Sequence, residues 1–425
     1  MTAGERIPEP ESPAHRLRRM SGRDPHEPNR VATPLELLFD LTFVIAFGIA
    51  ASEFAHMLAE GHVGAGLTAF VFVTFAVCWA WINFSWFASA YDTDDWVYRL
   101  MTMLQMVGVI ILALGIPPVY ASIERGAIVD NRLMVAGYVV MRIALVAQWI
   151  RAARQDPDRR NACLTYAATI TVAQIGWIGI LIAQTSVPMT FLLVAAMTGV
   201  ELAGPWLVER RTGGSTPWHA HHIAERYGLL TIIALGEGVI GTVASLSAVV
   251  AAQGWTVDAV LVAMAGTGLT FGMWWIYFVV PASGLLHAQR GKAIPYGYGH
   301  IVVFGSIVAT GAGLHAAAYY IEQHSKLGSV ATVLSVAIPV GIYIGSVYLL
   351  YLLLVGGRDS FHALMMALTA VVLAGAVALA AAGLSMAVCL LVIMLAPVVT
   401  VAGFELFGHR HAAESLRRRL GAGPQ

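Results

Sequence analysis

Apolar runs of about twenty or more residues, parted by short polar patches, recur along this 425-residue chain and leave it few possible folds. A run that long covers the roughly 30 Å of a bilayer core as a helix. In lipid no water is present to satisfy backbone N–H and C=O groups, so a spanning segment must be a helix or a strand of a closed barrel. The runs here do not alternate apolar and polar residues as barrel strands do. Charged residues make up only 12% of the chain and hydrophobic ones 58%. A water-soluble domain carries about 25% charged residues. The fold class that follows is an all-α integral membrane protein.

The runs place twelve spans at 35–57, 64–90, 98–120, 131–152, 161–184, 188–208, 226–252, 255–280, 298–321, 328–355, 361–383 and 385–408. The last two are parted only by Leu384 and its small neighbours, which points to a tight hairpin. Residues 1–30 are rich in Pro, Arg and Glu and hold no apolar segment, so they are expected to be a disordered cytoplasmic tail rather than a signal peptide. Residues 409–425 are expected to form a cytoplasmic tail as well. With the N-terminus inside, every one of the 25 Lys and Arg residues falls at the cytoplasmic side except Arg125, Arg132, Lys326 and the intramembrane Arg142. That asymmetry puts both termini in the cytoplasm.

A weak internal repeat accompanies the count. Aligning Glu36 with Glu225 matches Leu41 to Leu230 and Thr42 to Thr231; after a small shift, Trp81, Ile82 and Phe84 match Trp275, Ile276 and Phe278. This suggests two six-helix halves in one orientation, 31–208 and 226–408, joined by a cytoplasmic connector at 209–225.

Ionisable groups inside hydrocarbon are costly, so they pair, face the bundle interior or line a pathway. Span one opens TPLELLFDLTFVIAFG, with Glu36 at its start and Asp40 one turn deeper on the same face. The loop YDTDDWVYR holds Asp92 and Asp94, which read as a solvated acidic loop. It also holds Asp95 and Arg99, and Arg99 is a candidate partner for Asp40. HAHHIAERYGLLTIIALGEGVIG brings Glu225 and Arg226 to the start of span seven and Glu237 about 18 Å further in, near mid-membrane, between Gly236 and Gly238. Arg142 and Glu201 also sit near mid-depth, and Arg142 is the candidate partner of either Glu201 or Glu237. His300 and His315 share span nine but stand about 22 Å apart along it, too far for one metal.

Other signals are weaker. His219, His221, His222 and Glu225 have no zinc-type spacing, so no metal is expected. No nucleotide or hydrolase motif is present, and no cofactor or nucleic-acid partner is expected. Cys78, Cys163 and Cys389 lie far apart in apolar runs and read as core residues. Trp79, Trp81, Trp86, Trp274, Trp275 and Tyr277 read as interfacial anchors.

The blocks TPLELLFDLTFVIAFG, YDTDDWVYRLMTMLQMVG, HIAERYGLLTIIALGEGVIG, MWWIYF and YGYGH, in that order, resemble the bacterial low-temperature-requirement A (LtrA) family. The resemblance covers residues 30–350 well and the rest loosely. It implies a multi-pass bacterial membrane protein linked by name to growth in the cold, with no established substrate. It also singles out Glu36, Asp40, Asp95, Arg99, Glu225, Arg226, Glu237 and His300 as motif residues. Gly48 and Ile49 depart from the more polar residues expected there. A fainter likeness, to potassium channels with a six-plus-six plan, rests on Arg30 preceding Phe39 and Asp40.

The functional expectation is a transporter or channel for a small solute or ion. Its pathway candidates are Asp40, Glu237, Glu201, His300 and His315. Glu36, Asp95, Arg99, Arg142, Glu225 and Arg226 are gate or helix-pinning charges. Its partners are the lipid bilayer and that solute or ion. The alternatives are an intramembrane enzyme acting on a lipid or isoprenoid, with the histidines and carboxylates as acid–base groups, and a membrane-organising protein whose buried charges are all paired.

Overall fold

The computed structural model describes residues 17–27, 30–126, 128–210, 215–356 and 360–408, and among them every regular element is helical. Twelve helical stretches are long and apolar enough to cross a membrane. The first half of the chain contributes α1 (Pro34–Ala59), α2 (Val63–Tyr91), α3 (Trp96–Leu114), α4 (Ile116–Glu124), α5 (Arg132–Gln155), α6 (Arg160–Ala183) and α7 (Val187–Glu209). The second contributes α8 (Ala220–Gln253), α9 (Val257–Phe278), the short α10 (Ala282–Ala288), α11 (Ala293–Ile321), α12 (Ser329–Val355), α13 (Ser360–Ala381) and α14 (Met386–Gly403).

Local chemistry sets where these helices begin and end. The Thr33 hydroxyl accepts from Glu36 N, and the Glu36 carboxylate accepts from Thr33 N, a reciprocal capping box with Pro34 in the first turn. Asp95, Thr256 and Ser385 cap α3, α9 and α14 in the same manner, each accepting from an N–H three residues on. The third span breaks into α3 and α4 at Gly115. Pro117 and Pro118, which follow, lack the N–H a continuous helix needs. A Cβ on Gly115 would lie 2.4 Å from Met134 N, so the close approach of α5 requires glycine there. The hairpin between α13 and α14 forms at Gly383, whose φ of +83° favours glycine, with Leu384 N donating to Leu379 O.

Two helices begin earlier than their apolar runs. α8 starts at Ala220, six residues before the expected 226, and α11 at Ala293, five before 298. The extra turns carry His222 and Tyr296, which are buried against protein, so hydropathy does not mark them. α11 is the most enclosed span, with 83% of its apolar window buried, against 22% for α7 and for α13. It packs on α8, α12, α1 and α2 and forms the centre of the bundle.

The face at which α1 begins, here called the entry face, also carries an ordered strap. The expectation of disorder over residues 1–30 falls partly outside the described residues. From Leu17 to Glu27, however, the chain is tied down. Met20 is buried, its N–H donates to Gln155 Oε1 at 2.7 Å, and Arg23 N donates to Ala90 O at 2.9 Å. Polar composition alone predicts disorder, but these polar groups find partners on the helix ends beneath them. The tail at 409–425 lies outside the described residues.

Candidate functional site

Glu36 and Asp40 occupy successive turns of one face of α1, and His222 and Arg226 do the same on α8. Both helices start at the entry face, so the two i, i+4 pairs meet rung for rung. His222 Nε2 lies 3.0 Å from Glu36 Oε1, and Arg226 Nη2 lies 2.6 Å from Asp40 Oδ1. Trp81 Nε1 donates to the same Asp40 oxygen at 2.6 Å, and Arg226 Nη2 also donates to Ser85 Oγ at 3.2 Å. Glu36, Asp40, His222 and Arg226 are all 0% exposed.

Arg30, just after the strap, closes this cluster from above. Its Nη2 lies 3.9 Å from Glu36 Oε1 and 3.4 Å from Asp92 Oδ2. Asp92 therefore departs from the solvated loop residue expected from the sequence: it is 4% exposed and sits at the C-terminal end of α2, beneath Arg30. Burial, followed by the nearby Glu36 carboxylate, pushes its carboxyl up to about 6, against the opposing pull of Arg30.

The Asp40–Arg99 pair anticipated from depth is not formed. Arg99 points outward and makes a fork with the exposed Asp94, at 2.8 Å through both Nε and Nη2. The reason is rotational. Depth along α1 and α3 is similar, but the carboxylate face of α1 turns toward α8. Asp95 is instead the residue that ties α3 down. It caps α3 through Tyr98 N, accepts a two-pronged contact from Arg151 on α5, and accepts from Arg18 N in the strap at 3.2 Å. Burial opposes its ionisation, but the Arg151 fork and the two backbone N–H donors outweigh that and hold its carboxyl below the ordinary range. Glu225 accepts from Ala32 N at 3.1 Å and lines an entry-face cavity of about 770 Å³ with Arg30, His219 and Tyr277.

Mid-membrane, Arg142 on α5 pairs with Glu201 on α7 at 3.6 Å, one of the two pairings the sequence left open. Glu201 also accepts from Trp79 Nε1 at 2.7 Å and Trp177 Nε1 at 3.1 Å. Trp79 and Trp81 are thus buried donors to intramembrane carboxylates, not interfacial anchors. Trp86 does the same for Glu209, at 3.2 Å. The signal that identifies Trp79 and Trp81 is their place inside the α2 apolar run, away from its ends, while Trp86 stands five residues from the helix end. Trp274 and Trp275, by contrast, are partly exposed.

Glu237 stands apart. It is 4% exposed, and among the described residues its carboxylate has neither a hydrogen bond nor an ion-pair partner. It lies where α8 crosses α1 and α11. A Cβ on Gly48 of α1 would be 3.3 Å from Glu237 Oε1, and one on Gly311 of α11 would be 2.6 Å from Glu237 O. The apolar Gly48 noted in the sequence is therefore the residue that leaves room for the carboxylate.

His300 is buried toward the entry end of α11, with Nε2 2.8 Å from the Tyr277 hydroxyl and Nδ1 2.8 Å from Tyr296 O. Tyr277 and Tyr296 both line the entry-face cavity. His315 lies half-buried one turn beyond Gly311. The structure thus gathers Glu36, Asp40, Arg226, Arg30 and Asp92 into one cluster. It leaves Glu201 with Arg142, Asp95 with Arg151, and Glu237, His300 and His315 at separate levels.

Residues 31–397 match the family model described as bacterial low temperature requirement A protein (LtrA). A stretch of 292 residues is 26% identical to an uncharacterized protein of Rhizobium meliloti (strain 1021), covering 65% of this chain and 67% of that protein. No solved structure matches the chain.

Proposed function

For a chain that belongs to the bacterial low temperature requirement A (LtrA) family, and so to a group of multi-pass membrane proteins, we propose transport of a small solute or ion with Glu237 as the proton- or cation-binding group. One observation carries the reading. Glu36, Asp40 and Glu201 each face a guanidinium and Glu209 accepts from Trp86, Tyr166 and Thr216, while the Glu237 carboxylate has no such partner among the described residues. An isolated charge inside a bilayer costs several kcal/mol or more, roughly, and a pathway is the usual reason for one to persist. A carboxylate there is neutralised by a proton or by a cation it carries. The glycines at 48, 238, 241 and 311 surround it with backbone and little side chain, which suits a narrow passage between α1, α8, α9 and α11.

The entry-face cavity is the mouth of this pathway, and Tyr277 and His300 lie between it and the bundle interior. Arg226–Asp40 and Arg142–Glu201 pin helices on either side. The distribution of Lys and Arg supports an entry face toward the cytoplasm and residence in the inner membrane. A link to growth at low temperature rests on the family description alone.

The decisive experiment is flux of protons, monovalent cations and anions in sealed proteoliposomes. Wild type is expected to show a flux that Glu237→Gln abolishes and Gly236→Ala retains. Undiminished flux in Glu237→Gln across a range of pH removes the role given to this residue.

A further inference from the structure

The entry-side cluster contains an odd charge. Two guanidiniums, Arg30 and Arg226, face three carboxylates, Glu36, Asp40 and Asp92, and all five groups are buried. Arg226 spans Asp40 at 2.6 Å and Glu36 at 3.8 Å. Arg30 is divided between Glu36 at 3.9 Å and Asp92 at 3.4 Å. Glu36 is held further by Thr33 N at 2.7 Å and by His222 Nε2 at 3.0 Å. Asp92 has the fewest competing contacts: the shared guanidinium and the N–H of Asp94 at 2.8 Å. Two cations therefore serve three carboxylates, and Asp92, whose carboxylate only Arg30 approaches within ion-pair distance among the described residues, is the one least well served.

We propose that Asp92 is a proton-binding latch: by taking up one proton it neutralises the cluster, hands Arg30 wholly to Glu36 and loosens the strap from the end of α2. The proton adds to a carboxylate oxygen, and no other bond is made or broken.

The surroundings support that exchange. The Tyr98 hydroxyl, buried beside Asp92 and Glu36, has no hydrogen-bond partner among the described residues and is available to the protonated carboxyl. Arg30 Nε is likewise buried without one, so the guanidinium has bonding capacity free to re-pair. The charged and titratable groups around Asp92 come from every neighbouring element. The strap supplies Arg23, whose Nη1 donates to Asp92 O at 3.4 Å, and the segment before α1 supplies Arg30. α1 supplies Glu36, the loop supplies Asp94 and Asp95, α3 supplies Tyr98 and Arg99, and α8 supplies His222 and Arg226 behind Glu36. Asp94, Asp95 and Arg99 are spent on one another or on Arg151, so Arg23 and Arg30 are the cations that oppose uptake. The midpoint near 6 that burial gives Asp92 puts the switch within reach of a modest acidification. None of this depends on the role given to Glu237.

The test uses full-length protein in lipid nanodiscs. A spin label at Val31→Cys reports on the strap; Val31 is 60% exposed, and the three native cysteines are buried. Infrared difference spectra between pH 8 and pH 5, in a Glu237→Gln background, report carboxyl protonation. The expected result is one protonated-carboxyl band with a midpoint near pH 6, absent in Asp92→Asn, and a rise in label mobility over the same range. Asp92→Asn mimics the protonated state, so its label is expected to be mobile at both pH values. Arg30→Met removes the cation that opposes uptake, and its midpoint is expected to rise by a pH unit or more, a tenfold gain in proton affinity. A band that persists in Asp92→Asn, or label mobility unchanged between pH 8 and pH 5 in wild type, overturns the proposal.

Discussion

At the scale of single residues, carboxylates buried to the same degree do different work because their partners differ. Glu201 is locked by Arg142, Trp79 and Trp177. Removing one member of such a set strands the other in low dielectric. Arg142→Met is expected to cost about 3–5 kcal/mol, and adding Glu201→Gln should recover much of it. Thermal unfolding in detergent of the two single variants and the double variant measures this, and a double variant no more stable than Arg142→Met would contradict the pairing. Asp92 and Asp95 sit three residues apart and respond oppositely to pH. The Asp92 carboxyl is lifted from 3.8 to about 6, so its contribution to stability is present at low pH and is lost as pH rises from 3.8 through 6. The Asp95 carboxyl is depressed, so its contribution is present above the ordinary carboxylate pKa and is lost as pH falls below it. Unfolding midpoints followed from about pH 8 down to about pH 2.5 should fall less steeply below about pH 4 in Asp95→Asn. In Asp92→Asn the loss of stability toward alkaline pH should be smaller.

At the scale of helices, close backbone approach decides where α8 sits. Gly241 lies against Gly311 O, where a Cβ would stand at 2.6 Å, and Gly311 lies against Glu237 O at the same distance. Either substitution by alanine meets backbone that has no room to move. Gly311→Ala is expected to abolish folded protein in size-exclusion profiles. Gly236→Ala meets nothing within 4 Å and should be neutral or stabilising by up to about 1 kcal/mol, because glycine is a poor helix former. Gly48 is intermediate. Its added Cβ would meet a side-chain oxygen at 3.3 Å, so Gly48→Ala should fold and alter flux, separating the space around Glu237 from the stability of the crossing.

At the scale of the whole molecule, the bundle places a cavity of about 770 Å³ on the entry face and the isolated carboxylate in its interior. If the entry face is cytoplasmic, a cysteine at Lys326 should react with a membrane-impermeant reagent in intact cells, and one at Arg290 should react only after lysis. The reverse pattern would invert the proposed orientation.

The apolar runs by themselves determined the all-helical architecture and the twelve spans, because a bilayer admits so few backbone solutions that hydropathy alone selects among them. Run lengths placed most helix ends within a few residues. They failed at α8, whose first turn carries His221 and His222, and at α11, where Pro295 and Gly297 interrupt the apolar run. Sequence depth also picked out Asp40, Glu201, Glu237 and Arg142 as charges inside the membrane. Depth is one coordinate, however, and pairing needs rotation about each helix axis as well. Only the packed bundle decided that Asp40 turns to Arg226 rather than Arg99, that Arg142 takes Glu201 and leaves Glu237 alone, and that tryptophans of α2 serve as donors. Asp92 and Arg30 became one buried pair only through the path of the strap. Polarity in the sequence cannot distinguish a group in water from one that finds its partner more than sixty residues away.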